Sequence, residues 1–430
     1  MKTLFAPIRL PEATDLTISP EVELMLCCAR VQLTPEIAER IQCLLRLELD
    51  WKLLIIVATQ HRVLPLLLQH LEHIAPDQVP ANILAHLRTF FNRHIFGNLS
   101  QTAEIVKLIE LLKKNDVPAI PFKGPTLALS VYGKVTLRQF DDLDILVAPA
   151  NFLKARQILL EQGEYQQPLP SIFISVEQER SHLQTIPECS LVHPKRKIVI
   201  DLHQKLTGGT FITYPFDFAV LQQRLTPVPN ANSLLTLCPE DLLLYLCVHG
   251  AKSLWERLVW ICDVAELVKA NPEINWEALL AKAQAAKIER MLLIGLRLTQ
   301  QLLGTPLPAI VEARIEADSE AKTLANQVHH NILSGKCGLT TTLTFEKLRF
   351  QCRTLSSSQE QMCYLMRCFY RHGLTPIRRL LKPTVKDSCF IKLPIPLHFL
   401  YYLIRPVRLF SNVVMNDWKD SQTQSSEQVS

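Results

Sequence analysis

Three aspartates lie within four residues at the start of an apolar segment, in the sequence FDDLDILV. Asp142 and Asp144 are two positions apart, so on a strand they project to one face while Leu143 and Ile145 point to the other. Two carboxylates on one face of a buried strand repel each other unless a cation lies between them. The spacing therefore indicates a site for a hard divalent metal such as Mg²⁺, with Asp141 pointing away from it.

A second apolar segment, KIVIDLHQ at residues 197–204, carries one further carboxylate, Asp201. If this segment forms a strand beside the first, Asp201 joins Asp142 and Asp144 at one site. His203 is two residues further on and shares the same face of the strand. It could orient an acceptor or support a ligand, and a purely structural histidine is an equal alternative.

Lys123 and Gly124 lie between a predicted strand and the start of a predicted helix. Free backbone N–H groups at a helix start, together with a lysine, suit phosphate. The alternative for the whole constellation is an acidic turn ahead of a strand, with Asp201 an unrelated surface residue. The third aspartate on its own strand and the upstream Lys-Gly turn favour a site.

The elements that would position these residues follow from the apolar periodicity. We predict helices over 125–133 and 151–164, and strands over 117–122, 143–147, 180–186 and 197–204. The predicted fold class is α+β, a small mixed sheet embedded in a largely helical chain. The predicted regions are 1–115 helical, 116–225 the α+β core, 226–365 helical, 366–412 basic and apolar, and 413–430 a disordered tail.

The composition fits a globular protein rather than a disordered one, with 48% hydrophobic and 20% charged residues among 430. A net charge of +5 does not by itself mark a nucleic-acid binder. The 12 cysteines show no Cys-x-x-Cys spacing, and no secretory signal is visible, so we expect reduced thiols and a cytoplasmic location. No apolar run approaches the ~20 residues of a membrane span, so we expect no transmembrane segment.

Three stretches together resemble a known family, namely FKGPTLALSVYG, LRQFDDLDILV and IDLH. They are similar to the bacterial family of uncharacterised nucleotidyltransferases, within the polymerase-β-like nucleotidyltransferase superfamily. The matching positions are Lys123, Gly124, Tyr132, Arg138, Asp142, Asp144, Asp201 and His203. One departure is that the wider superfamily has Gly-Gly or Gly-Ser before the acidic pair, whereas this chain has Gly124-Pro125.

The resemblance implies transfer of a nucleotidyl group from an NTP such as ATP to a hydroxyl, with release of pyrophosphate. It implies that Asp142, Asp144 and Asp201 bind Mg²⁺ or Mn²⁺ and are the catalytic carboxylates. Lys123 and Arg138 are then candidates for the triphosphate oxygens, although a solvated loop arginine is nearly as good an interpretation of Arg138. The acceptor can be a small molecule, a protein or an RNA.

A periodic stretch over 239–270 predicts one helix with His249, Lys252, Trp260 and Asp263 on one face. His249 and Lys252 are candidates for nucleotide binding. Packing is the preferred interpretation of the tryptophans.

Two further interpretations remain open at the level of sequence. One is a non-catalytic nucleotide-binding or scaffold protein with the same fold, which the presence of all three aspartates disfavours. The other concerns residues 367–410, where a basic stretch precedes an apolar one. This segment is a candidate for a peripheral membrane or RNA contact.

Overall fold

The computed structural model describes residues 18–168, 176–207, 217–335 and 345–370, together with 391, 394, 397 and 400–405. Within these ranges the chain is largely helical, with a four-stranded mixed sheet and a separate two-stranded sheet. The predicted α+β class is therefore confirmed.

The helices ahead of the sheet are α1 (Pro20–Cys28), α2 (Pro35–Leu45), α3 (Trp51–Gln60), α4 (Leu64–Ile74) and α5 (Ala81–Lys114). The sheet region then comprises β1 (Ala119–Pro121), α6 (Gly124–Tyr132), β2 (Asp142–Val147), α7 (Phe152–Glu161), α8 (Val176–Thr185), β3 (Glu188–Val192), β4 (Val199–His203), α9 (Phe218–Gln222), β5 (Thr226–Val228) and β6 (Ala231–Thr236). The helices that follow are α10 (Pro239–Lys252), α11 (Leu258–Ala270), α12 (Trp276–Ala285), α13 (Glu289–Leu303), α14 (Ala309–Ala317), α15 (Ser319–Leu333), α16 (Phe345–Thr354) and α17 (Ser358–Cys368).

The larger sheet has the strand order β1-β2-β4-β3. β2 and β4 are its parallel central pair, and β1 and β3 run antiparallel to their neighbours. The register places Asp144 directly opposite Asp201. Leu143 and Ile200 on these strands are fully buried, so the apolar face of the pair forms core while the carboxylates take the opposite face.

One predicted strand is wrong. Residues 180–185 belong to helix α8, which ends one residue before the end of the predicted strand, and the strand that pairs with β4 is β3, a few residues later. The acidic first turn of α8, with Glu177 and Glu179, favours a helix start, and Pro187 follows its end. Short polar alternation was therefore a poorer guide than these end signals.

The long helix predicted over 239–270 is also wrong, because the chain breaks between α10 and α11. Leu254 and Trp255 both have positive φ angles at the break. The indole of Trp255 is fully buried, in line with the packing interpretation, and lies against Gly250 and Gly295. A Cβ atom at Gly250 would lie 2.5 Å from that indole, so a glycine is needed there for close packing.

The chain contacts divide the protein into two compact units. The first comprises Met1–Gln166 and Pro187–Gln361, and the second Gln167–Ile186 and Met362–Ser430. Both sheets belong to the first unit. The predicted domain boundaries remain a prediction.

No helix in the described part of the chain is both long enough and apolar enough to cross a membrane. The predicted basic and apolar segment, 367–410, lies mostly outside the described residues, and the predicted disordered tail lies wholly outside them.

Helix α11 is capped by a buried histidine from the loop after α3. His61 Nδ1 accepts a hydrogen bond from the backbone N–H of Leu258 at 3.1 Å, and the His61 carbonyl accepts one from Val259. Burial lowers the pKa of His61 from its ordinary value of 6.5 to about 4. The cap therefore depends on a neutral imidazole.

This cap predicts a pH dependence of stability. The folded-state pKa of His61 lies below its unfolded value, so the unfolded chain binds more protons between about pH 6.5 and pH 4. The contribution is complete above pH 6.5 and is lost as the pH falls through that window, at roughly 1 kcal/mol per pH unit. We expect His61→Asn, whose amide oxygen can keep the bond without titrating, to flatten urea-derived stability across this window. The exposed His86→Asn is the matched control, and equal pH slopes for His61→Asn and the native chain would contradict the prediction.

Candidate active site

A cleft of about 660 Å³, open to solvent, lies over the carboxylate-bearing face of β2 and β4. Its lining residues come from the sheet, the start of α6 and the last turns of α10: Lys123, Asp142, Asp144, Glu188, Asp201, His203, Leu206, Thr207, Tyr245, Val248, His249 and Lys252. Seven of the nine residues predicted for a site, all except Gly124 and Arg138, therefore line one cleft.

Asp144 lies at the centre of this cleft and is only 4% exposed. Its Oδ1 accepts a hydrogen bond from His203 Nε2 at 3.1 Å and lies 3.5 Å from Lys123 Nζ. Burial alone would raise the pKa of Asp144, but Lys123 and His203 more than offset this and hold the pKa well below its usual range. Its other oxygen, Oδ2, is buried and has no hydrogen-bond partner among the described residues.

Asp142 is the first residue of β2, two positions before Asp144, and lies on the same face of the strand. Burial and the charge of Asp144 raise the pKa of Asp142 from its ordinary value of 3.8 to about 6. The two neighbouring carboxylates of β2 are thus driven apart in pKa, as expected for like charges held close together.

Asp201 on β4 completes the acidic group. Donor atoms of Asp144, Asp201 and His203 all lie within 4.8 Å of one another. Asp201 Oδ1 also accepts a hydrogen bond from Ser190 Oγ at 2.6 Å. The predicted convergence of the strand-borne carboxylates is present in the structure, and their catalytic role stays a prediction.

His203 is buried between two carboxylates. Its Nε2 donates to Asp144, since a carboxylate can only accept, and its Nδ1 lies 3.1 Å from Glu188 Oε2. Burial lowers the pKa of His203, but the two carboxylates more than offset this effect and raise the pKa from its ordinary value of 6.5 to about 9. In the same contact, His203 lowers the pKa of Glu188 to about 2. This placement favours an orienting role for His203 towards Asp144.

Lys123 precedes α6 and reaches into the cleft with 15% of its side chain exposed. Its Nζ lies 5.1 Å from the ring centroid of Tyr245 and 5.9 Å from that of Phe122, so it also makes cation–π contacts. Burial lowers the pKa of Lys123, yet Asp144 and Tyr245 raise it beyond its ordinary value. Lys123 is therefore a fixed positive charge beside Asp144.

Gly124 does not line the cleft. It has a φ of +51°, and a Cβ atom there would lie 3.0 Å from the carbonyl oxygen of Asp142. Gly124 therefore has a packing role, because it lets α6 approach β2 next to the acidic group. Its role in nucleotide binding stays a prediction.

His249 and Lys252 lie on α10 and both line the cleft. The imidazole of His249 stacks on Tyr245 with centroids 6.1 Å apart and meets Trp260 edge-on at 5.3 Å. Burial, followed by the charge of Lys123, lowers the pKa of His249 well below its ordinary value. The start of α6 and the last turns of α10 therefore supply a neutral imidazole and two ammonium groups to the cleft.

Arg138 is elsewhere. Its guanidinium is buried and donates two hydrogen bonds to Asp263, at 2.7 and 2.9 Å. Tyr132 donates a third to the same carboxylate at 2.7 Å. Asp263 is fully buried within α11, not on a shared face with His249. This geometry speaks against a triphosphate contact for Arg138.

Asp141 points away from the acidic group, as strand alternation predicts. Its side chain is 71% exposed and pairs with Arg62.

Sequence reasoning missed three residues of this site: Glu188, Ser190 and Tyr245. Glu188 and Ser190 escaped because β3 was placed too early in the chain. Tyr245 precedes His249 by four residues on α10, and this one-turn spacing was a usable signal.

The donor set fits a divalent cation. Asp144 Oδ2 is a buried oxygen without a hydrogen-bond partner among the described residues. Burial and repulsion from Asp144 raise the pKa of Asp142, and a cation would relieve that repulsion. Carboxylate oxygens are the donors that Mg²⁺ and Mn²⁺ prefer.

Comparison with known proteins gives one family. The sequence model of a family described as uncharacterised nucleotidyltransferase matches residues 48–304, a span that contains every residue lining the cleft. No curated protein matches the chain.

Proposed function

The chain belongs to the family of uncharacterised nucleotidyltransferases, and from that premise we propose that its cleft transfers a nucleotidyl group from an NTP, such as ATP, to an acceptor hydroxyl. The reaction would depend on a divalent cation and release pyrophosphate. The observation that carries the proposal is the in-register pairing of Asp144 with Asp201, which brings donor atoms of both carboxylates and of His203 within 4.8 Å.

Asp142, Asp144 and Asp201 would hold the cation, Mg²⁺ or Mn²⁺. When bound, it would lower the pKa of the acceptor hydroxyl and neutralise charge that develops on the leaving pyrophosphate. His203 donates a hydrogen bond to Asp144 Oδ1, whereas Oδ2 has no hydrogen-bond partner among the described residues. The four carboxylates of the cleft lie on the sheet, which makes this wall the acidic one.

The residues that the start of α6 and the last turns of α10 contribute to the cleft suit the triphosphate. Lys123 and Lys252 supply ammonium groups, and His249 supplies a neutral imidazole that can donate to a phosphate oxygen. Lys123 lies closest to the acidic group, 3.5 Å from Asp144, so we assign it to the phosphates nearest the reacting phosphorus.

The direct test is incubation of the full chain with each α-labelled NTP, Mg²⁺ or Mn²⁺ and cell extract, followed by separation of the labelled products. We expect label on an acceptor with the native chain and none with Asp144→Asn. An NTP that binds without any transfer of label would support the non-catalytic nucleotide-binding alternative instead.

Lys123→Ala tests the assigned triphosphate contact. Loss of a charge-assisted contact worth about 1.5–3 kcal/mol should weaken NTP binding by roughly 10-fold or more. The cation-free protein should also lose stability, because Asp144 then stays charged and buried without its neighbouring ammonium group. Isothermal titration with NTP and denaturant unfolding measure the two effects.

The exposed Lys134→Ala is the matched control for this variant. Unchanged NTP affinity in Lys123→Ala, together with the loss of stability, would make Lys123 a structural residue only.

A further inference from the structure

Strand β3 lies at the edge of the sheet and pairs with β4 next to the site. Its register pairs Glu188 with His203 and Ser190 with Asp201. Glu188 and Ser190 are two positions apart, so they share the face that carries the acidic group. Each of them contacts the β4 residue that it opposes.

The first contact fixes Asp201. Ser190 Oγ donates to Asp201 Oδ1 at 2.6 Å. An aspartate side chain has two rotatable bonds, and a hydrogen bond to one carboxylate oxygen limits both. The contact therefore restricts the orientation of the Asp201 carboxylate.

The second contact fixes Asp144 through an intermediate. Glu188 Oε2 lies 3.1 Å from His203 Nδ1, and His203 Nε2 donates to Asp144 Oδ1 at 3.1 Å. This contact is within ion-pair distance but does not have hydrogen-bond geometry, so Glu188 favours through its charge the ring orientation in which Nε2–H meets Asp144. The Asp144 carboxylate is thus held through Oδ1, while its Oδ2 has no hydrogen-bond partner among the described residues.

We propose that Glu188 and Ser190 are positioning residues of the cation site: Glu188 sets Asp144 through His203, and Ser190 sets Asp201 directly. The inference rests on the proposed function, because it concerns the same site. Removing the hydrogen-bonding partner of a metal ligand typically changes metal affinity or activity by about 10–100-fold. Ser190 is such a partner of Asp201, and Glu188 acts one contact further out, through His203, so its effect should lie near the lower end of that range. Both side chains are exposed. Ser190→Ala should therefore leave the fold intact, whereas Glu188→Gln also removes the ion-pair partner of buried His203 and should lower stability.

The test is a titration of the full chain with Mn²⁺, in which the electron paramagnetic resonance signal measures the free Mn²⁺. Ser190→Ala should bind Mn²⁺ about 10–100-fold more weakly, with a melting temperature in EDTA close to that of the native chain, and Glu188→Gln should bind it about 10-fold more weakly, with a lower melting temperature. Glu188→Asp and Ser190→Thr, which keep the carboxylate and the hydroxyl, should recover part of the affinity. In transfer assays, excess Mn²⁺ should restore the rate of the two weakened variants but not that of Asp144→Asn.

A matched control exists for the glutamate. Glu164 Oε2 lies 3.5 Å from His193 Nε2, a Glu–His contact whose members do not line the cleft. Glu164→Gln should leave Mn²⁺ affinity unchanged. Ser334→Ala, which removes a serine hydroxyl at the end of α15, is the corresponding control for Ser190.

The outcomes separate this inference from the proposed function. Native Mn²⁺ affinity in both Glu188→Gln and Ser190→Ala would overturn the positioning role, whatever the melting temperature of Glu188→Gln. A loss of affinity in Ser190→Ala that is matched by a loss of melting temperature would also overturn it, because this denotes a structural role. Either result leaves the proposed function standing if Asp144→Asn abolishes transfer. Full transfer by Asp144→Asn would instead refute the proposed function.

Discussion

Asp144→Asn is expected to lower nucleotidyl transfer by at least about 10²–10³-fold, and Asp201→Asn by a similar factor. Both carboxylates contribute to one compact donor set, and they face each other directly across the parallel strand pair. An amide keeps the shape of the side chain but carries no charge to balance a divalent cation. The measurement is the initial rate of label transfer from an α-labelled NTP at saturating Mn²⁺.

Asp141→Asn is the control that the chain itself provides. Its carboxylate is one residue from Asp142 but is exposed and paired with Arg62, so its loss should change the rate by no more than about twofold. An inactive Asp141→Asn, combined with active Asp142→Asn and Asp144→Asn, would contradict the assignment of the carboxylates.

Asp142→Asn and Asp144→Asn should have opposite effects on the stability of the cation-free protein. The pKa of Asp142 is raised to about 6, so its charge disfavours folding at neutral pH, and Asp142→Asn should leave stability equal or higher by about 1 kcal/mol. Burial raises the pKa of Asp144, but Lys123 and His203 bring it well below its usual range, so the protein favours the charged form. Asp144→Asn should therefore destabilise the protein. Denaturant unfolding in EDTA distinguishes the two variants.

The position of the acidic group could be predicted from the sequence because strand alternation is a local property. Leu143 and Ile145 fall on the buried face, so Asp142 and Asp144 must fall on the other. The pairing of this strand with the one that carries Asp201 needed only the assumption that two short buried strands of one small domain lie side by side.

The residues around the acidic group could not be predicted in the same way. Glu188 enters the site only through the register of an edge strand, and the sequence pattern placed that strand on residues that form α8. Asp263 left the predicted face with His249 because Leu254 and Trp255 take positive φ angles and interrupt the helix. Neither feature follows from periodicity, since both depend on contacts between distant segments.

The same limitation applied to Arg138, whose partner is 125 residues away in the sequence. An arginine four residues before an acidic pair suggests a phosphate ligand when only the neighbourhood is read. The structure instead shows a bidentate pair with Asp263, which Tyr132 completes. This group joins the end of α6 and the loop ahead of β2 to α11. It lies in the core of the first unit, and all three side chains are buried.

Asp263→Leu or Arg138→Met is expected to destabilise the protein by about 3–5 kcal/mol, because either change leaves a buried charge without its partner. Tyr132→Phe should cost only about 1 kcal/mol, since the Asp263 carboxylate keeps both bonds from Arg138. The double variant Arg138→Met/Asp263→Leu removes both charges and should recover much of the loss, which makes the two single effects strongly non-additive. Urea unfolding of the four variants measures this coupling.

Nucleotide affinity then decides between the structural and the phosphate-binding roles of Arg138. If the guanidinium serves only Asp263, the folded fraction of Arg138→Met/Asp263→Leu should bind NTP nearly as tightly as the native chain, in contrast to Lys123→Ala. The reason is that Lys123 lines the cleft whereas Arg138 does not. A roughly 10-fold loss of NTP affinity in Arg138→Met, with little loss of stability, would return Arg138 to the triphosphate and require the Asp263 pair to open when nucleotide binds.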